Sequence, residues 1–225
     1  MVKLRKAMLI IAIDGPAGSG KSTVSKRVAK ALGILYIDTG AMYRALTLKA
    51  MREGVDLENE AALTKLARST KIDLEEADGN LKVFLDSEDV AALIRTPELT
   101  ANIKYIARVP GVRHEMVKLQ RSIGNKSGAV LEGRDIGTVV FPDADYKFYL
   151  DASVDERARR RHKELGELGQ TASVDEIKKE IVIRDESDMK RSVGALSKAS
   201  DAIMIDTTGL EIDEVAENIL SYIEG

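Results

Sequence analysis

Cysteine is absent from the 225 residues, and histidine is confined to His114 and His162. The first absence excludes disulfides and thiolate metal sites and suits a reducing compartment; the second argues against a histidine-rich metal centre. Aromatic residues make up only 4% of the chain, and 34 Lys+Arg stand against 37 Asp+Glu, for a formal charge of -3. Neither stacking platforms nor a global positive field are on offer to nucleic acid or an anionic membrane, so small molecules are the expected partners. Long hydrophobic runs are missing as well. The apolar run from Met8 to Ile13 follows Lys3, Arg5 and Lys6 as a secretory leader would, but it breaks at Asp14 and no small-residue cleavage site follows. It reads as a buried strand, and the protein as cytoplasmic. With no repeat, low-complexity tract or long linker, residues 1–225 read as one domain, and with no large exposed apolar patch in view, as a monomer.

What is present is alternation on a large scale. Short apolar runs at Met8 to Ile13, Ile34 to Ile37, Ala129 to Leu131, Tyr146 to Leu150 and Ala202 to Ile205 are separated by helical patterns such as Thr23 to Leu32. Runs without strict alternation imply a parallel sheet covered on both faces, hence an α/β fold. Residues 71–86 depart from this: Ile72 and Leu74 alternate, Asp78-Gly79 signals a turn, and Leu81, Val83 and Leu85 alternate again. That is an antiparallel hairpin, expected in a small inserted subdomain over residues 70–100.

The stretch after the first strand carries the clearest chemistry. Gly15, Pro16, Ala17, Gly18, Ser19, Gly20, Lys21, Ser22 and Thr23 have the spacing of a phosphate-binding loop opening a helix. Glycines let the backbone turn tightly, the helix aims its first amides at a polyphosphate, Lys21 reaches the outer phosphates, and Ser22 offers its hydroxyl to a magnesium ion. The loop points to a nucleoside triphosphate without naming what receives the phosphate. A GTPase would show Asn-Lys-x-Asp, which is absent, and a P-loop motor would end a strand in a pair such as Asp-Glu; here the strand from Ala129 runs into Glu132, Gly133, Arg134 and Asp135. Glu132 is placed to hold magnesium through water.

Three more segments converge on the carboxyl ends of the strands, where open parallel sheets bind ligands. Thr39 and Gly40 open a helix carrying Tyr43 and Arg44; Arg184, Asp188 and Arg191, spaced by four and three, are expected on one helix face; and Arg157 to His162 form a basic run followed by Gly166 and Gly169. Transfer of phosphate between two nucleotides brings two polyanions together, and Arg44, Arg134, Arg184 and Arg191 supply cations whose geometry suits phosphate oxygens. An acceptor monophosphate is already ionised near neutral pH, its second pKa being about 6, so no side-chain base is needed, in keeping with the lack of a Ser-His-Asp constellation. The residues by themselves leave open a kinase for another monophosphate, such as UMP or AMP, and a regulator that binds ATP without turnover.

Taken together, DGPAGSGKST (14–23), DTGAMYR (38–44), GRDIGTVVFPDA (133–144), RDESDMKR (184–191) and the hairpin insert resemble the bacterial cytidylate kinases over nearly the whole chain. The resemblance implies the nucleoside monophosphate kinase fold: a five-stranded parallel core, an acceptor-binding subdomain holding the insert, and a short lid near residues 157–172. It implies phosphorylation of CMP and dCMP by ATP with magnesium. By that pattern Lys21 and the loop hold ATP, Thr39, Arg44, Arg134 and Arg191 surround the acceptor phosphate, and Arg184 and Asp188 address its ribose and phosphate. Arg113 and Asp135 read cytosine, and Arg157 and Arg161 belong to the lid. Tyr43 and Gly133 lie within these motifs and are taken with the acceptor site. Lys104 stands where the family often has a base-contacting serine. A carboxylate and a guanidinium match the N4 donor and the N3 and O2 acceptors of cytosine, whereas uracil sets an acceptor against the carboxylate.

Overall fold

The computed structural model describes residues 9–77, 80–167 and 169–224. Its first strand, β1 (Ile10–Asp14), is buried at every position and explains the unbroken apolar run. Ile10 and Ala12 face one side of the sheet and pack with helices and the insert, while Ile11 and Ile13 face the other and pack with the first and last helices. Met8, with Lys3, Arg5 and Lys6 before it, lies outside the described residues.

The chain continues through α1 (Lys21–Leu32), β2 (Leu35–Asp38), α2 (Thr39–Arg52) and α3 (Glu60–Ser69). An antiparallel sheet follows, of β3 (Ile72–Ala77), β4 (Asn80–Leu85) and β5 (Glu88–Asp89), and then α4 (Pro97–Ala107) and α5 (Pro110–Ser127). Beyond them come β6 (Ala129–Gly133), a π-helical turn at Ile136–Val140, β7 (Tyr146–Asp151), α6 (Val154–Glu167), α7 (Val174–Met189), β8 (Ile203–Asp206) and α8 (Ile212–Glu224).

The main sheet has the order β2-β6-β1-β7-β8, all pairs parallel. Register brings the carboxyl ends level: Asp14 opposes Gly133, Asp38 opposes Glu132, and Asp151 opposes Asp206. Each strand therefore delivers its last residue to one edge, where the backbone stops pairing and polar side chains are free to meet a ligand.

The insert is a three-stranded sheet rather than the expected hairpin, because the chain after Leu85 folds back to pair Phe84 with Asp89. Its turn at Asp78-Gly79 falls outside the described residues. The buried Ile72, Leu74, Val83 and Leu85 join the same core as Met42, Leu46 and Leu63. That continuity fixes the insert to the body, since each buried aliphatic side chain is worth about 1.5–3 kcal/mol. By contrast α6 and α7 share only a small cluster of Ala158, Ile177 and Ile181. Among the described residues no helix is long and apolar enough to cross a membrane.

Candidate active site

The phosphate loop begins where β1 passes close to β7. Gly15 has φ 149°, and a Cβ there would lie 2.0 Å from the Leu150 carbonyl oxygen, so only glycine lets the chain leave the sheet at this point. Lys21, the first residue of α1, is 4% exposed and folds back into the loop, donating to Pro16 O at 2.5 Å and Ser19 Oγ at 3.2 Å. Burial, reinforced by the charge of Arg134, pulls its pKa down to about 7 against the pull of Glu132 and Asp14.

Ser22 donates to Glu132 Oε1, and so does Tyr36 Oη at 2.9 Å. Burial and the Glu132 charge push the Tyr36 phenol well above its ordinary range, so it stays a donor. A carboxylate held in this way beside the loop hydroxyl gives magnesium the oxygen donors it prefers. Thr39 Oγ1 donates to the Glu132 carbonyl at 2.7 Å, tying the start of α2 to the end of β6.

Asp38 caps α2 through Ala41 N at 2.7 Å and takes Arg44 at 3.0 Å with its other oxygen. Arg44 Nε remains buried without a partner among the described residues. Opposite, Asp188 accepts from Arg134 Nε at 2.9 Å and from Arg191. Burial disfavours the Asp188 charge, but Arg134, Arg191 and Arg184 outweigh it and hold the carboxyl below its usual range. Arg184 makes no hydrogen bond or ion pair among the described residues; burial and then the repulsion of Arg134, with smaller repulsion from Arg44 and Arg191, bring it down to about 10. Four guanidinium groups thus crowd around two carboxylates, beside Lys21, which itself feels Arg134 and Arg184. Positive charge exceeds negative among these side chains.

Behind them lies a buried pair. Arg113 donates to Asp135 and, at 3.3 Å, to Ala107 O, with its guanidinium 5.6 Å from the centre of the Tyr43 ring. Burial pushes the Asp135 carboxyl above its ordinary range despite Arg113. Tyr43 Oη has no partner among the described residues, and burial pushes it to about 12. The backbone at Gly194, φ 65°, passes so close that a Cβ would overlap the Arg113 guanidinium, so the loop after α7 closes over this pair.

The arrangement corrects or refines several expectations. Arg191 does not share a helix face with Arg184 and Asp188: α7 ends at Met189, and Arg191 returns to Asp188 from the following loop. Gly133 is the last residue of β6, its carbonyl 3.3 Å from Arg134 Nη1. Lys104 is exposed on α4, its ammonium 5.0 Å from the centre of the Tyr105 ring, and it does not join the cluster. Arg157 points inward, bonding Ala152 O and Ala17 O at 3.0 Å each and Asp185 at 2.5 Å. Asp185 also accepts from Ala17 N at 3.4 Å, so α6 and α7 grip the loop together. Arg161 pairs in solvent with Glu164, while Arg160, which sequence reasoning missed, bonds Thr207 beside the Gly20 turn.

Comparison with known proteins identifies the family. The sequence model of the family described as Cytidylate kinase matches residues 11–225. The chain belongs to the cytidylate kinase family. It is therefore a nucleoside monophosphate kinase, a phosphotransferase. Among curated relatives, a cytidylate kinase of Desulforamulus reducens is 51% identical over 214 residues, covering 95% of this chain and 96% of that one. Another, of Anoxybacillus flavithermus, is 50% identical over 214 residues and 95% of each. A solved structure of an uncharacterized protein from Eubacterium ventriosum resembles the fold with TM-score 0.55 at 15% identity, over 97% of this chain and 99% of that one.

Three further residues of this cytidylate kinase family member escaped sequence reading. Tyr36, Asp185 and Asp14 are all buried and bonded to partners far along the chain. Asp14, immediately before the loop, was the one with a signal: a carboxylate ending an otherwise apolar strand.

Proposed function

We propose that this chain transfers the γ-phosphoryl group of ATP to CMP or dCMP, releasing ADP and CDP or dCDP. The observation that carries the proposal is the surplus of cations at Arg44, Arg134, Arg184 and Arg191, set beside the Lys21 loop and directly in front of the Arg113–Asp135 pair. A protein that only sensed ATP has no use for a second anion seat.

In this reading the loop from Gly15 to Thr23 holds the ATP phosphates, and Lys21 leaves Pro16 O and Ser19 Oγ for the outer phosphates. Thr39, Arg44, Arg134 and Arg191 hold the acceptor phosphate, while Arg184 and Asp188 hold its ribose and phosphate side. An oxygen of that phosphate attacks the γ-phosphorus as the bond to the leaving ADP oxygen breaks. No base is required because the acceptor is already ionised, its second pKa being about 6. Charge on the transferred group is met by fixed guanidinium groups in a site that needs little reorganisation. Magnesium suits the oxygen donors at the loop mouth: Ser22 and Glu132, the latter fixed by Tyr36, would hold it directly or through water, and it would neutralise phosphate charge.

Base selection falls to Asp135, which accepts from the cytosine amino group, and Arg113, which donates to O2 or N3; Tyr43 packs on the guanidinium and offers its unpartnered hydroxyl. Arg157 and Arg160 belong to the α6 lid over ATP, with Arg161 at its outer face. Initial rates of ADP release with Mg·ATP and CMP, dCMP, UMP, AMP, GMP or no acceptor test this. CMP and dCMP should exceed the others by about tenfold or more, as expected from one mismatched buried polar group. Preference for another monophosphate overturns the base assignment, and acceptor-independent behaviour overturns the kinase reading.

A further inference from the structure

Asp14 has no assigned part in the chemistry above, yet its surroundings are unusual. It is 3% exposed, and no cation pairs with it among the described residues. Both carboxylate oxygens are instead spent on backbone amides 122 and 123 residues away: Oδ1 accepts from Ile136 N and Oδ2 from Gly137 N, each at 2.8 Å. These amides open the π-helical turn that directly follows Arg134 and Asp135. Gly137 sits between this carboxylate and the stem of Lys147, where a Cβ would lie 3.5 Å from Asp14 Oδ2 and 3.2 Å from Lys147 Cδ. The far end of the turn is held separately, by Arg121 donating to Val140 O at 2.6 Å and Val139 O at 2.9 Å.

One residue thus joins the two halves of the site. On its carboxyl side Asp14 continues straight into Gly15 and the loop that cradles the donor; through its side chain it grips the backbone that carries Arg134 to the acceptor anion seat and Asp135 to Arg113. An apolar residue would leave two buried amides unmet, an amide side chain could serve only one of them, and a longer carboxylate would displace the turn. We infer that Asp14 is a positioning residue that sets the acceptor-binding turn in register with the phosphate loop. Its role is to keep donor and acceptor phosphates at reacting distance, where misplacement by about 1 Å costs on the order of 100-fold in rate. The inference rests on the proposed acceptor site.

The test is Asp14→Asn in the full chain, with KM for CMP, KM for ATP and kcat measured separately and Tm recorded alongside. One lost amide contact should raise the KM for CMP or lower kcat by about 10-fold to 100-fold, with the KM for ATP within about twofold of wild type. Arg121→Met, which frees the other end of the same turn, is the control for general loosening and should leave the KM for CMP within about threefold. If Asp14→Asn yields no folded protein, Asp14→Ser, which leaves room for a water at the amides, goes through the same measurements with the same expectation. Wild-type inactivity toward CMP refutes the acceptor assignment itself. Given wild-type turnover, the inference fails if both kinetic constants for CMP are unchanged, if the KM for ATP rises equally, or if Arg121→Met matches Asp14→Asn.

Discussion

Lys21 is buried at the base of the loop with a pKa of about 7, against an ordinary 10.5. A polyphosphate supplies the counter-charge that the loop lacks, so binding must draw the lysine back to its protonated state. At pH 8 a group of pKa about 7 is protonated in roughly one molecule in ten, so Mg·ATP binding should take up about 0.9 proton per site. Over pH 7 to 9 the protonated fraction falls from about one half to about one hundredth, and ATP affinity should fall by about 50-fold. Calorimetry at pH 8 in buffers of different ionisation enthalpy reads the uptake directly, because the observed heat varies with buffer in proportion to protons exchanged. Lys21→Met should abolish the uptake and cut turnover by orders of magnitude. It should also stabilise the free protein below pH 7. The folded value lies below the unfolded one, so the unfolded chain binds more protons between about pH 7 and 10.5; stability from this group rises over that window and the folded state is penalised below it. The gap from about 7 to 10.5 corresponds to roughly 5 kcal/mol, partly offset in the variant by about 1–3 kcal/mol for the lost partners at Pro16 and Ser19. A wild-type uptake near zero, or the same uptake in Lys21→Met, would refute this reasoning.

Asp135→Asn should reduce the CMP to UMP ratio of kcat/KM by about tenfold, because the amide presents a donor to uracil O4; an unchanged ratio assigns Asp135 to holding Arg113 only. Arg184→Met should raise the KM for CMP by about 100-fold while leaving Tm unchanged or higher, since among the described residues the arginine makes no hydrogen bond or ion pair, and burial with the repulsion of Arg134, Arg44 and Arg191 outweighs the attraction of Asp188; a large loss of Tm would contradict that. Burial lifts Asp14 from 3.8 to about 6 despite its two amide partners, so the folded state binds the extra proton and stability from this group falls as pH rises from about 4 to 6. Denaturant titrations should therefore show Asp14→Asn gaining about 3 kcal/mol on wild type across that window, and parallel curves would exclude it.

The sheet was legible because strands covered on both faces are apolar throughout, and Ile10 to Ile13 and Ala129 to Leu131 divide their side chains between two cores. The insert showed itself by the opposite pattern, strict alternation, but Glu88 and Asp89 form too short and too polar a strand to announce themselves. The helix through Arg184 ran on in the sequence to Arg191 because nothing in Met189-Lys190-Arg191 breaks a helix; the glycine comes only at Gly194. Arg157, Arg160 and Arg161 stand at i, i+3 and i+4, on one side of a helix, so the spacing does not choose among them, and which one meets the loop depends on how α6 docks, a tertiary matter. The contacts of Tyr36 with Glu132 and of Asp14 with Ile136 span 96 and 122 residues. No local pattern encodes such pairs. Arg44 and Arg134 were legible because each follows a strand end that the parallel register brings to one edge, and Arg184 and Arg191 because they share one charged motif, which α7 and the loop after it carry to the same cluster.

The phosphoryl group is expected to land on the phosphate of CMP. Phosphorus NMR of a mixture of purified protein, Mg·ATP and CMP follows every phosphorus at once. Loss of the ATP γ signal should be matched by the paired α and β signals of CDP and ADP, with little inorganic phosphate. Release of inorganic phosphate with CMP left intact, or no consumption of ATP at all, would contradict it.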